Sequence, residues 1–304
     1  MAKDAYRGFP THWGDANAPA RTASGQPSDL EGLFGPRSLF WTVWQEQAQL
    51  LGAGRAILLQ LAHPLVAAGV ADHSSFQTDP LGRLQRTLNM MLTIVFGDRA
   101  RAEAMLRQFH AVHVPIQGQL PDPAGPFAAG VAYRAQDPTL KLWVHATLMD
   151  TGLLVYERFV RPLSPTEREA FYQDSRLLAR REGIHDSLIP PTFQDFNAYM
   201  ARMLTSDELT VSDTARALAY DVFHPRVWLP LRLAAQVSQW VTAGLLPGPV
   251  REAYRLPWSP RHEALLVGLS RVTRLGIPLL PPLLRLMPQA RAATSRLRRS
   301  RPED

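Results

Sequence analysis

No cysteine occurs anywhere in the chain. That excludes disulfides, thiolate-ligated or thioether-tethered cofactors, cysteine-bound clusters and cysteine nucleophiles. Metal chemistry would have to run on the nine histidines and the carboxylates. An unbroken apolar run of the roughly 18–20 residues that span a bilayer is also missing. The best stretch, 56–71, is interrupted by Gln60, His63, Pro64 and Gly69 and reads as a buried, broken helix. The opening residues lack a charged-then-apolar pattern, so no secretory signal is expected and the protein is read as cytoplasmic. There is no GxSxG elbow, HExxH, phosphate-binding P-loop or GxGxxG, and almost none of the alternation that would build strands beneath such motifs.

What is present suits a folded domain. Hydrophobic residues make up 46% of the 304 and charged residues 20%, which is ordinary globular usage. The net charge of +6 is uneven: residues 285–304 hold six arginines against Glu303 and Asp304 and so contribute +4 of it. A nearly neutral body is no nucleic-acid surface. The expected organisation is a flexible segment over 1–35, rich in Gly, Pro and Ala, a domain over 36–284, and a basic tail over 285–304. That tail has too little apolar surface to bury and is expected to make a weak peripheral contact with anionic membrane.

Periodicity and capping predict helices throughout. One is expected over 39–51, stopped by Gly52 and Gly54. The next covers 55–70 and is broken at His63-Pro64, where proline removes a donor and clashes with the preceding turn. Asp79-Pro80 opens 81–96, and Gly97-Asp98 starts a helix ending near Val114. Residues 119–137 read as loop, and 138–160 as the central core helix. Ser164-Pro-Thr-Glu167 is a capping box. Thr192 and Ser212 cap two more helices, and 229–245 and 262–275 follow. The fold class is all-α, in one domain.

Three groups of side chains stand out. Arg83, Arg86 and Thr87 share a face of the 81–96 helix at spacings of three and four. They form either an anion-binding patch facing apolar surroundings or a solvent-facing basic stripe. His110 and His113 share a face of the following helix. Each is either a metal-ligating imidazole or a satisfied histidine of the core. His145 lies in the apolar helix over 138–160, where both ring nitrogens need partners. With His63 and His73, five histidines fall in the apolar half of the chain. The other four, His12, His185, His224 and His262, lie in polar stretches read as surface.

These residues sit within motifs that occur in a recognisable order. RAILLQLAHPLVAAGV at 55–70 is followed by His73-Ser74, Asp79-Pro80, RLQRT at 83–87, Phe96-Gly97 and HVPIQG at 113–118. Then come Tyr133, Asp137-Pro138, WVHATL at 143–148, and a last block with Leu246-Pro247, Arg251-Glu252, Tyr254 and Trp258. Over residues 36–263 this resembles the rubber-oxygenase family, which includes latex-clearing proteins and MpaB-type enzymes.

The resemblance implies an all-α fold enclosing one b-type haem between core helices, and an oxygenase that uses O2 on a small apolar, isoprenoid-type substrate. In latex-clearing proteins the proximal ligand is a histidine followed five residues later by glycine, a pattern that His113 and Gly118 fit, so His113 is the expected iron ligand. The family's distal Arg-x-x-Lys-Thr motif reads Arg83-x-x-Arg86-Thr87 here. Arginine keeps its proton where a lysine can shed it and bind iron. The resemblance therefore places Arg83, Arg86 and Thr87 on the catalytic side, Arg83, Arg86, His63 and His145 around the cofactor, and Arg86 in the pocket or on a propionate. Polyisoprene is not the expected substrate, because the polymer-cleaving members are exported. Three other readings stay open: a haem carrier or sensor without catalysis, a non-haem metal enzyme using His110, His113 and His145, and a membrane-peripheral binding protein whose arginine-rich tail contacts anionic lipid.

Overall fold

The structure, a computed structural model, describes residues 27–73, 80–224 and 229–300; the side chains of 80, 81, 83, 84 and 229–234 lie outside that description. In chain order the α-helices are α1 (Leu39–Trp44), α2 (Ala53–Leu61), α3 (Pro64–His73), α4 (Pro80–Phe96), α5 (Arg99–His113), α6 (Pro138–Phe159) and α7 (Pro165–Arg181). They continue with α8 (Phe193–Thr205), α9 (Asp213–Phe223), α10 (Leu229–Leu245), α11 (Gly248–Ala253), α12 (Pro260–Gly276), α13 (Pro282–Arg285) and α14 (Pro288–Arg299). Two short strands, β1 (Gln117–Gln119) and β2 (Ala132–Arg134), pair antiparallel between α5 and α6 with Gly118 opposite Tyr133.

Local chemistry sets most of these boundaries. The Asp98 carboxylate accepts the backbone N–H of Arg101 at the start of α5. Asp137 accepts from Thr139 and Leu140 at the start of α6, with Pro138 in the first turn where its missing N–H costs nothing. Ser164 and Glu167 cap one another reciprocally at the start of α7. Thr192 and Ser212 cap α8 and α9. The break at His63-Pro64 is real, and the chain bends there by 106°.

The core is built on α6, apolar on every side. Trp143, Ala146, Met149, Leu153 and Tyr156 are all buried in it. Helices α1, α2, α7, α10 and α12 pack around it, directly or through one another. One buried polar knot joins three of them. Arg55 of α2 donates to the Leu245 carbonyl at 2.8 Å, to Thr151 Oγ1 at 2.6 Å and to Asp150 Oδ2 at 2.6 Å.

Several expectations about the fold fail for physical reasons. The helix expected over 39–51 ends at Trp44 and is followed by a 3₁₀ turn, Gln47–Gly52. Between them the Glu46 carboxylate, 1% exposed, turns inward to Arg285 at 2.7 Å. Gly52 and Gly54 are not stops but sites of close approach. A Cβ on Gly54 would lie 2.0 Å from Thr242 Oγ1 of α10, and one on Gly52 would lie 2.6 Å from Thr151 Cγ2 of α6. The loop over 119–137 contains β2.

The packed chain also begins before residue 36. Leu33 and Phe34 are buried, Phe34 stacks on Phe40 at 4.5 Å, and Arg99 donates to Asp29 and to the Pro27 carbonyl. The remainder of the expected flexible segment, 1–26, lies outside the described residues. The described part of the basic tail, 285–300, is docked in the same way. Met287, Ala290 and Ala293 are buried, Leu297 packs against the core, and Arg296 donates to the carbonyls of Leu30 and Phe96. Alanines spaced three apart let α14 lie close on α4, so a stretch poor in large apolar residues still packs.

Candidate functional site

The last turn of α5, the first half of α6 and the end of α7 meet around a cluster of ionisable groups. His113 closes α5, half-buried. Its Nδ1–H donates to the Phe109 carbonyl one turn back at 2.7 Å, and the Phe109 ring packs on it with centroids 4.4 Å apart. A carbonyl only accepts, so this bond puts the proton on Nδ1 and leaves the lone pair on Nε2. Nε2 has no hydrogen-bond partner among the described residues. Burial holds the ring's pKa below the usual value, against the pull of the Phe109 carbonyl; nearby Lys141 lowers it further and Glu182 opposes. The imidazole is thus neutral, oriented, and free at one nitrogen.

Three contacts clamp the corner after α7 to the two other helices. His110 Nε2 lies 3.0 Å from the Arg181 carbonyl. Lys141 Nζ donates to the Glu182 carbonyl at 3.3 Å. His145 Nδ1 lies 2.7 Å from Glu182 Oε2, with both side chains buried. Gly183 completes the corner at φ +81, where a Cβ would press on His110 Cε1 at 3.2 Å. Burial also lowers the Lys141 pKa, opposed by Glu182.

A second group lies along α3, from the His63-Pro64 break to its end, against the β1–β2 hairpin. His63, 3% exposed, tilts against Phe127 at 5.3 Å, and its Nδ1 is buried without a hydrogen-bond partner among the described residues. Burial drives its pKa down to about 4, with Asp137 opposing. The Tyr133 hydroxyl donates to Asp72 Oδ2 at 2.5 Å, and burial followed by that carboxylate pushes its pKa up. His73, exposed, reaches the Gln117 carbonyl at 3.0 Å. Gly118 is explained by the same hairpin, since a Cβ there would lie 2.4 Å from the Tyr133 hydroxyl.

On α4, which packs along α5, Arg86 and Thr87 are exposed, and the side chain of Arg83 lies outside the described ones. The expected histidine group divides in this way between a buried pair, His63 and His145, a half-buried pair, His110 and His113, and the exposed His73. His262, expected at the surface, instead packs on Trp258 and buries its Nδ1. A pocket of about 380 Å³ lies between α4 and α14, lined by Leu88, Leu92 and Met287, and another of about 340 Å³ lies beside the α3–hairpin group, lined by Pro64, Leu120, Asp213 and Arg216.

A cofactor tied by one imidazole suits this arrangement better than a bare ion held by several. No group of three or more His, Asp or Glu side chains is placed to hold a metal among the described residues. His110 and His145 each commit a ring nitrogen to the α7 corner instead of converging with His113. Sequence reasoning missed Glu182 and Lys141. Lys141 stands one turn before His145, a spacing that offered a clue; nothing local marks Glu182.

Comparison with known proteins gives the chain relatives and a family. Uncharacterised proteins of Mycobacterium bovis and Mycobacterium tuberculosis are each 27% identical to it over 232 residues, 74% of this chain and 87% of theirs. No solved structure matches it. Residues 41–275, which include His63, His73, Arg83, Arg86, His110, His113 and His145, match the family described as ER-bound oxygenase mpaB/B'/Rubber oxygenase, catalytic domain, and the chain belongs to that family.

Proposed function

We propose that the protein is a haem-b-dependent oxygenase that uses O2 on a small apolar substrate of isoprenoid type. The observation that carries this reading is His113: a neutral imidazole, fixed through Nδ1 by the Phe109 carbonyl and open at Nε2, in a chain of an oxygenase catalytic family. A b-type haem needs one such nitrogen and no covalent tether.

Bound haem would supply the iron that activates O2; the chain supplies binding, orientation and exclusion of water. His113 would hold the iron, and the Phe109 carbonyl would set its basicity. His145, anchored by Glu182, would contact the cofactor. His63 would offer its unpartnered Nδ1 as a polar contact. Arg86 would pair with a propionate, a role suited to a permanently charged fork of donors. Thr87 and Arg83 would orient O2, and Met90, Met91 and Phe96 of α4 would line the apolar side.

The lysine of latex-clearing proteins has no counterpart here, because Arg86 keeps its proton. That difference also supports a second reading, a haem carrier or sensor. Haem-loaded protein given squalene as an apolar polyprenyl probe separates the two. Oxygen uptake matched by carbonyl products from the probe is the expected result. Reversible O2 binding without product would establish the carrier instead.

A further inference from the structure

Helix α12 carries apolar residues on the side turned away from the protein. Leu265, Val272 and Leu275 recur at helical spacing and are 63%, 68% and 76% exposed. Gly268, between them on the same face, meets open space. The stripe runs on into the proline-rich turn after the helix, where Leu279, Leu283 and Leu284 are 84%, 62% and 59% exposed. Isolated exposed apolar residues are ordinary, but five leucines and a valine on one continuous stretch mark an interaction surface.

The turn is built to present these side chains. Pro278, Pro281 and Pro282 stiffen it. Its base is fixed to the body: Arg285 holds the buried Glu46 carboxylate through three hydrogen bonds of 2.7–3.0 Å, and Gln47 Nε2 donates to the carbonyls of Leu283 and Leu286. The Met287 N–H donates to the Gln45 carbonyl at 2.7 Å. Leucines on a braced turn lose little conformational freedom when they are buried by a partner.

Charge selects the partner. Residues 264–300 contain seven arginines and no aspartate or glutamate. Arg261 and Arg271 are exposed on α12 itself, beside the stripe. A second copy of the chain would bring this positive face against its like, whereas an anionic bilayer offers phosphates to the arginines and an acyl boundary to the leucines.

We propose that the outer face of α12 and the turn over 277–284 form a docking surface for an anionic lipid bilayer, with the leucines entering the headgroup–acyl boundary and Arg261 and Arg271 meeting lipid phosphates. Among the described residues no single helix is long and apolar enough to cross a membrane, so the contact is interfacial. It relocates the expected membrane contact from the tail, whose Arg285 and Arg296 are engaged within the protein, to a surface that combines apolar and basic groups. It is independent of the oxygenase reading.

The test is co-sedimentation of the full chain with phosphatidylcholine vesicles, with and without phosphatidylglycerol, alongside its mass by light scattering. Binding should require phosphatidylglycerol and weaken as salt rises. It should fall roughly tenfold or more when Leu279, Leu283 and Leu284 are changed together to serine, with the melting temperature unchanged because these side chains are exposed. A second variant, Arg261→Glu with Arg271→Glu, should lose the phosphatidylglycerol dependence. Vesicle binding indifferent to both variants would overturn the proposal. So would a two-chain mass that the leucine variant reduces to one chain, since the stripe would then be a dimer interface.

Discussion

Replacing Glu182 by alanine removes the anchor that joins α7 to α6. Its carboxylate is buried, as is the His145 ring it holds at 2.7 Å. Truncation leaves a buried ring nitrogen without its partner, which costs about 1–3 kcal/mol, and more when the lost bond was charge-assisted. The Lys141 bond to the Glu182 backbone carbonyl survives the change, so the corner does not come loose entirely. About 3 kcal/mol is the net expectation, a fall in Tm of roughly 5–10 °C for a domain of this size. Glu182→Gln keeps an oxygen acceptor of the same reach and should lose only about 1 kcal/mol. Thermal or denaturant unfolding of Glu182→Ala, His145→Ala and the double variant measures the coupling, expected at about 1–3 kcal/mol. If the double variant loses the sum of the single losses, the pair is not an energetic unit and the clamp around α7 is misread.

Further expectations concern pH and the C-terminal helix. His63 has a folded pKa of about 4 against an unfolded value near 6.5. The unfolded chain therefore binds the extra proton first, and stability contributed by the neutral ring is complete above about pH 6.5 and drains away as pH falls to about 4, by up to about 3 kcal/mol. His63→Gln should flatten that part of the pH–stability profile, and a profile as steep as that of the parent would refute the assignment. Arg285→Ala strands the Glu46 carboxylate at 1% exposure and should cost about 3 kcal/mol in chemical denaturation. A neutral effect would mean that α13 and α14 are not held as described.

Most of the fold is legible in the sequence because its boundaries are local. Asp98, Asp137, Ser164 and Ser212 announce their helices through caps made within three residues, and Pro64 breaks the chain through its own ring. Most of the failures are long-range. Glu46 interrupts a good helical pattern because its partner, Arg285, lies 239 residues away. Gly52 and Gly54 look like terminators until the neighbouring α6 and α10 show why no side chain fits. The tail looks too poor in leucine to pack, but α14 packs through alanines.

The site divides in the same way. Motif order marks His113, Gly118 and His145 as candidates, and the structure adds why Gly118 must be glycine. Glu182 is invisible beforehand because nothing in its own neighbourhood points to His145, 37 residues earlier. Arg83, Arg86 and Thr87 are legible only as a helix face, since what that face meets depends on partners that spacing alone does not specify.

The central claim is that His113 is the single protein nitrogen that holds haem. The most direct measurement is a haem titration of the cysteine-free chain followed by absorbance in the Soret region, for the parent and for His113→Ala, His110→Ala and His145→Ala. The parent should take up one equivalent with an intense Soret band. His113→Ala should lose that band and regain it when imidazole is added, while His110→Ala keeps stoichiometric haem and His145→Ala keeps it with weaker affinity. A parent that binds no haem, or a His113→Ala protein that binds a full equivalent with an unshifted spectrum, would contradict the account.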